Sequence, residues 1–89
     1  MQNDNESAIT FPCEFPIKAM GLAIHDMETI VLEIAQRHVP EIGKSAFAKR
    51  PSTNGKYLSI TVTVTAKSQQ QLDAIYYDLT AHEKIIMAL

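Results

Sequence analysis

An α+β two-layer sandwich, with strands and helices in the order β-α-β-β-α-β, is the fold class this sequence predicts. Three observations carry the prediction. Residues 54–67, "NGKYLSITVTVTAK", alternate apolar and polar side chains, which is the period of a half-buried strand. Residues 25–40, "HDMETIVLEIAQRHVP", switch to helical spacing. Asn54-Gly55 is the short-range signal of a hairpin, so a second strand should precede the first of these runs.

The elements follow in chain order. Residues 1–10 are polar and mildly acidic and read as a flexible tail, leaving residues 11–89 as a single domain. The two prolines of "FPCEFP" hold the residue before each ring extended. Strand one runs from Phe15 to Gly21, with Phe15, Ile17, Ala19 and Gly21 inward and Lys18 and Met20 outward. Lys18 sets that orientation, because a buried unpaired ammonium is too costly. Helix one spans about Met27 to His38, with Met27, Ile30, Val31, Ile34 and His38 on one stripe, Asp26 as N-cap and Pro40 as a stop. Strand two is residues 45–51, joined through a type I′ turn at Asn54-Gly55 to strand three. On strand three, Leu58, Ile60, Val62 and Val64 face the core, and Tyr57, Ser59, Thr61 and Thr63 face away. Ser68 opens a capping box with Gln71, and Leu72, Ile75, Tyr76 and Leu79 line helix two, which ends near His82. "KIIMAL" closes the chain as strand four. This is the ferredoxin-like βαββαβ arrangement, an antiparallel sheet of order 4-1-3-2 with both helices on one face.

Composition narrows the function classes. A net charge of −2 weighs against nucleic acid as a partner. A single cysteine, Cys13, leaves no internal disulfide and no paired-cysteine metal or redox motif. No apolar run approaches the ~20 residues of a membrane span, and the first ten residues lack the pattern of a secretory signal. A cytoplasmic protein with no membrane partner is expected.

The chemistries often carried by such a fold were tested residue by residue. The loop after strand one, "GLAIHDM", has neither the Cys-x-x-Cys of a heavy-metal domain nor the arginine of an acylphosphatase. A stacking platform for RNA needs several aromatics on the outer face of the third strand, and only Tyr57 is there. His25, His38 and His82 fall in a loop and at helix ends, so they read as dipole partners rather than metal ligands, and Cys13 reads as an ordinary thiol. Glu28 and Glu33 read as solvated carboxylates on the outside of helix one. No cofactor, metal or catalytic residue is assigned. Arg50, Ser52, Gly55 and Lys56, in "KRPSTNGK", form a weaker anion-site candidate beside the plainer reading of a charge-protected edge hairpin.

Two surfaces remain. The sheet face without helices measures roughly 300 Å², taking four strands of five residues, against ~800 Å² per partner in a standard interface. Strand two defends its edge with Lys49, Arg50 and Pro51, whereas strand four is apolar on both sides, with Ile85, Met87 and Leu89 on one and Ile86 and Ala88 on the other. Lys18, Met20, Thr61, Thr63, Ile86, Met87, Ala88 and Leu89 are therefore the candidate interaction surface, for self-association or a protein partner. The competing expectation is that the tail or residues 11–14 fold over strand four. Leu32 and Tyr77 lie off their helices' inner stripes and are expected to meet each other or a partner.

The motifs "FPCEFPIKAMG", "RHVP", "STNGKYLSITVTVTA", "QLDAIYYDL" and "IIMAL" resemble, over about residues 11–89, the YbeD-like family of small bacterial proteins of unknown function. Lys18, Met20 and Gly21, with Ser52, Gly55, Lys56 and Tyr57, carry the match. The resemblance implies an ACT-like domain, similar to regulatory modules that bind amino acids, from a family whose genes often neighbour lipoate-attachment genes. It implies a ligand loop at Gly21, His25 and Asp26 beside a subunit interface, and no catalytic residues. "GLAIHDM" does not contain the Asp-x-x-Gly of amino-acid-binding ACT loops. The expected function is a regulatory or protein-interaction module sensing a small metabolite at a dimer interface. The alternatives are a small hydrolase or acyl-transfer enzyme, and an RNA-binding protein using the open sheet.

Overall fold

The structure, a computed structural model, describes residues 9–89. Its elements are β1 (Cys13–Leu22), α1 (Met27–His38), a single 3-10 turn (Lys44–Ala46), β2 (Phe47–Pro51), β3 (Tyr57–Ala66), α2 (Gln69–Ala81) and β4 (Ile85–Ala88). The four strands form one antiparallel sheet in the order β2-β3-β1-β4, the order expected, read from the other edge. Among the described residues no helix is long and apolar enough to cross a membrane. The polar tail lies, for residues 1–8, outside the described residues.

Alternation decides which side of the sheet is covered. Ile17 and Ala19 of β1 and Ile60, Val62, Val64 and Ala66 of β3 are buried, and the helices meet them with Met27, Val31, Ile34 and Ala35 of α1 and Leu72, Ile75 and Leu79 of α2. Each such Val, Leu, Ile or Met side chain stabilises the fold by ~1.5–3 kcal/mol relative to exposure. Val39 and Ile42 extend this core beyond the end of α1. Ala35 lies on the inner stripe as well; its small side chain gives a weak periodic signal.

Both helices begin as their sequences require. The Asp26 carboxylate accepts from the Thr29 N–H at 3.3 Å and the Thr29 hydroxyl at 2.8 Å. The Ser68 hydroxyl accepts from the Gln71 N–H at 3.0 Å, while Gln71 Oε1 accepts from the Lys67 N–H at 2.7 Å. The Gln71 amide also donates to the His38 carbonyl at 3.0 Å, tying the start of α2 to the end of α1. Pro16 interrupts no ladder. The Lys18 N–H points to β4, where it meets the Leu89 carbonyl at 2.8 Å, so the nitrogen two residues earlier points the same way, beyond β4's pairing.

Four expectations require correction. The β2–β3 connection is not a type I′ turn: Gly55 has φ +74° but no non-glycine residue has positive φ. Instead the Gly55 N–H donates to the Ser52 carbonyl, making a turn centred on Thr53 and Asn54 that Gly55 then closes. Strand two begins at Phe47 rather than Ser45, because residues 44–46 close a 3-10 turn with the Ala46 N–H on the Gly43 carbonyl. In β4, Ala88 opposes Ala19 and Met87 opposes Met20, but Ile85 opposes Gly21, so one extra residue is accommodated. That bulge puts Ile85 and Ala88 on the helix side and Met87 and Leu89 on the open side, in place of simple alternation. Finally, β1 starts at Cys13 rather than Phe15, and with β1 and β3 both ten residues long the open face exceeds the estimate made from five residues per strand and reaches roughly 470 Å².

Candidate functional site

The open face is a grid set by the register. One row crosses all four strands as Met87, Met20, Ser59 and Arg50. The next runs Leu89, Lys18, Thr61 and Ala48, the first of these joined by the paired backbone bonds of Lys18 and Leu89 at 2.7 and 2.8 Å. On the other side of the first row, Leu22 opposes Tyr57. Directly opposed side chains stand ~4.5–5.5 Å apart at their Cβ atoms. Ser59 is thus a short side chain ringed by Met20, Arg50, Tyr57 and, diagonally, Lys18. A hollow of about 320 Å³ opens there, lined by Lys18, Met20, Arg50, Pro51, Ser52, Tyr57 and Ser59.

The charge around the hollow is positive in a chain whose net charge is −2. Among the described residues the ion pairs join Lys49 to Glu28, Arg37 to Asp78 and Lys84 to Glu83. Neither Lys18 nor Arg50 has a carboxylate within 4.0 Å among those pairs. Lys49 and Arg50 are neighbours with opposite fates: Lys49, opposite the buried Ile60, turns to the helix side and reaches Glu28 at 3.6 Å. Arg50, opposite Ser59, stays on the open side. The Lys56 ammonium lies 5.5 Å from the centre of the Tyr57 ring, adding a third cation at the same end.

The hairpin turn spends its own donors. The Gly55 N–H goes to the Ser52 carbonyl, the Lys56 N–H to the Asn54 side-chain oxygen at 3.0 Å and the Tyr57 N–H to the Ser52 hydroxyl at 3.0 Å. The Ser52 hydroxyl in turn donates to Asn54 Oδ1 at 3.0 Å. Of the anion-site candidates, Arg50 and Ser52 line the hollow, while Gly55 and Lys56 have their N–H groups engaged within the turn. Groups able to meet a ligand are the Lys18 ammonium, the Arg50 guanidinium and the Tyr57 and Ser59 hydroxyls; the last makes one long bond, 3.4 Å, to the Arg50 carbonyl.

The loop after β1 lies at the same end of the sheet, since the Ala23 N–H donates to the Lys56 carbonyl at 2.8 Å. Gly21 is packed rather than open. A Cβ there would come within 2.5 Å of both the Lys84 carbonyl oxygen and Met27 Sδ, so glycine admits the chain entering β4. Asp26 is committed to capping α1, and the half-buried His25 closes the loop with its N–H on the Leu22 carbonyl at 3.1 Å. Ile24, 84% exposed, is the most solvent-accessible large apolar residue of the loop.

The β4 edge is apolar and uncovered by residues 13 and 14, which pair instead with Ala66 and Thr65 on the far side of β1. Ile86, Met87 and Leu89 are 59, 45 and 66% exposed, and Ala88 is half-buried. Since bonded pairs alternate, Leu89 turns its backbone groups to β1 and Ala88 turns its own outward. Thr61 and Thr63 are half-buried in the middle of the face, between the flanking strands.

The remaining candidates act locally. His38 Nε2 lies 2.7 Å from Asp78 Oδ2, so this ring bridges the helices rather than only completing its own. His82 Nδ1 accepts from the Lys84 N–H at 3.1 Å in the turn before β4. Among the described residues no three His, Cys, Asp or Glu side chains gather as a metal site. Cys13 is a half-buried free thiol. Tyr77 is 73% exposed, while Leu32 is half-buried and packs against the core. Sequence reading missed the combination of Lys18 with Arg50, and the places of Pro51, Ser59 and Tyr57 around them. The register could have supplied it: once the turn length is known, Arg50 falls opposite Ser59.

Comparison with known proteins places these observations. A family model described as "Protein of unknown function (DUF493)" matches residues 6–89. The chain is 38% identical to a UPF0250 protein of Chromobacterium violaceum, covering all of both chains. It is 41% identical to a UPF0250 protein of Neisseria gonorrhoeae, covering 99% of this chain and 97% of that one. With the solution structure of protein HP0495 from H. pylori it shares a TM-score of 0.73 at 15% identity, over 94% of this chain and 88% of the other. That last likeness concerns the fold.

Proposed function

Because the chain belongs to the DUF493 family, the YbeD-like UPF0250 proteins of bacteria, whose function is not established, we propose that it acts as a cytoplasmic, noncatalytic interaction module that pairs with a second copy of itself. The contact runs along β4 and onto the adjoining open face. One contrast carries the reading. The β2 edge presents exposed Lys49, Arg50 and Pro51, while the β4 edge presents exposed Ile86, Met87 and Leu89 beside an outward-turned Ala88 backbone. Charge and proline protect an edge from pairing, and an apolar edge invites it.

Size favours a contact that combines the four-residue β4 edge with the adjoining face over either alone. The open face alone, at roughly 470 Å², falls short of the ~800 Å² per partner of a standard interface. Antiparallel pairing of β4 with its counterpart would instead continue each sheet into the other, using the free Ala88 backbone groups and burying Ile86 in the seam. Because β4 is only four residues long, the contact is a modest one and suits reversible association.

Sedimentation velocity across a concentration series tests this. Wild type is expected to shift from monomer to dimer, and Ile86→Lys to remain monomeric with an unchanged circular dichroism spectrum. Two monomers over the whole series would remove the dimer from consideration.

A further inference from the structure

We infer that the hollow over Ser59 is a binding site for a small oxyanion, a carboxylate or phosphate carried on an apolar or aromatic body. It is complete within one chain and does not depend on pairing through β4.

The head group is set by charge. Lys18 and Arg50 stand on the strands that flank β3, one row apart, and both line the hollow. Neither is neutralised by an ion pair among the described residues, although three other cationic side chains of the fold, Arg37, Lys49 and Lys84, each have a carboxylate within 4.0 Å. The open-side carboxylate of β1, Glu14, is held at the opposite end of the strand by the Thr65 hydroxyl at 2.7 Å. An arginine fork and a lysine point charge together match an oxyanion: the guanidinium takes two oxygens in its plane and the ammonium adds long-range attraction. Tyr57 and Ser59 line the same hollow, the Ser59 hydroxyl donating in a long 3.4 Å bond to the Arg50 carbonyl.

The body of the ligand is set by the walls. Met20, Pro51 and the Tyr57 ring supply apolar surface, and the short Ser59 side chain leaves the floor low. At about 320 Å³ the hollow lies at the small end of the range for ligand sites, which suits a metabolite rather than a nucleotide. The neighbouring turn contributes rigidity, because its Gly55, Lys56 and Tyr57 N–H groups are bonded within it and hold Ser52 and Tyr57 in place.

The test is an amide NMR titration of the full chain, and of Ile86→Lys, at constant ionic strength set with chloride. The probes are inorganic phosphate, acetate and benzoate. Saturable shifts of the Lys18, Ser52, Tyr57 and Ser59 amides are expected in both proteins, with benzoate tighter than acetate. Phosphate binding more tightly than benzoate would mark the head group as phosphoryl, and the reverse as carboxylate. Arg50→Met and Lys18→Met should each weaken binding ~10-fold or more. Ser59→Leu should abolish it by filling the floor with no change of charge. Lys44→Met, in the distant 3-10 turn, should leave it unaltered. Shifts that do not saturate, that lie away from the hollow, or that survive both charge removals would overturn the site.

Discussion

His38 at the end of α1 and Asp78 in α2 are joined side chain to side chain, with Nε2 and Oδ2 2.7 Å apart. Their side chains are 19 and 29% exposed, so the contact is partly withdrawn from water. Arg37 adds a weaker approach to the same carboxylate at 4.0 Å. A double-mutant cycle with His38→Gln and Asp78→Asn, read by urea unfolding, should give a coupling of ~1 kcal/mol. A coupling near zero would mean that this pair adds nothing to the apolar packing of the helices and the bond from the Gln71 amide to the His38 carbonyl.

The glycines predict a graded series. Gly21→Ala brings a methyl against the Lys84 carbonyl, a backbone atom that cannot move without β4. It should cost ~1–3 kcal/mol and speed hydrogen exchange at the Lys18 and Leu89 amides, which bridge β1 and β4. Gly55→Ala should cost ~1 kcal/mol, because φ there is +74°. Gly43→Ala meets nothing within 4 Å and should stay within about 0.5 kcal/mol of wild type. Equal costs at all three positions would contradict the packing described.

Neighbours on β3 should respond very unequally to truncation. Ile60 is fully buried and Thr61 half-buried on the open side. Ile60→Ala is expected to lose ~2–5 kcal/mol of unfolding free energy. Thr61→Ala should lose far less, ~0.5 kcal/mol or under. A reversal of that order would require the two faces of β3 to be exchanged.

Burial raises the pKa of Tyr76 above the ordinary value of 10.0. A raised acid pKa means that the folded state holds its proton where the unfolded state has begun to release it. Stability linked to this group is therefore complete below pH 10 and is lost as pH climbs through the folded-state pKa. Urea unfolding of wild type and Tyr76→Phe should show wild type losing ground to the variant as pH passes about 10. A gap independent of pH would show that the phenolate is as well solvated folded as unfolded.

Much of the candidate site was legible as separate parts. Lys18 and Met20 were placed on the outer face by alternation together with the cost of burying an unpaired ammonium, and Arg50 and Ser52 were singled out as a basic, hydroxyl-bearing turn. The hairpin signal implied Arg50 opposite Ser59, but their meeting with Lys18 was not legible, because it depends on the register of β3 against β1, which no turn fixes. Asn54-Gly55 announced a hairpin but suggested the wrong turn, since Asn54 keeps a negative φ while its side chain caps Lys56. The change of turn type leaves the pairing as it was, since a two-residue loop at Asn54-Gly55 would likewise set Arg50 opposite Ser59.

The sequence by itself determined the order of elements, the buried face of every long strand and the caps of both helices. These are local properties, written in a period of two, a period of 3.6 and the side-chain oxygens of Asp26 and Ser68. Only the tertiary structure decided what long-range pairing decides. It set the bulge that turns Met87 and Leu89 to the open side, the His38–Asp78 bridge, the close packing at Gly21 and the grouping of Lys18 with Arg50 across β3. The physical reason is that one residue of register moves a side chain to the other face of a sheet, and register belongs to two segments at once.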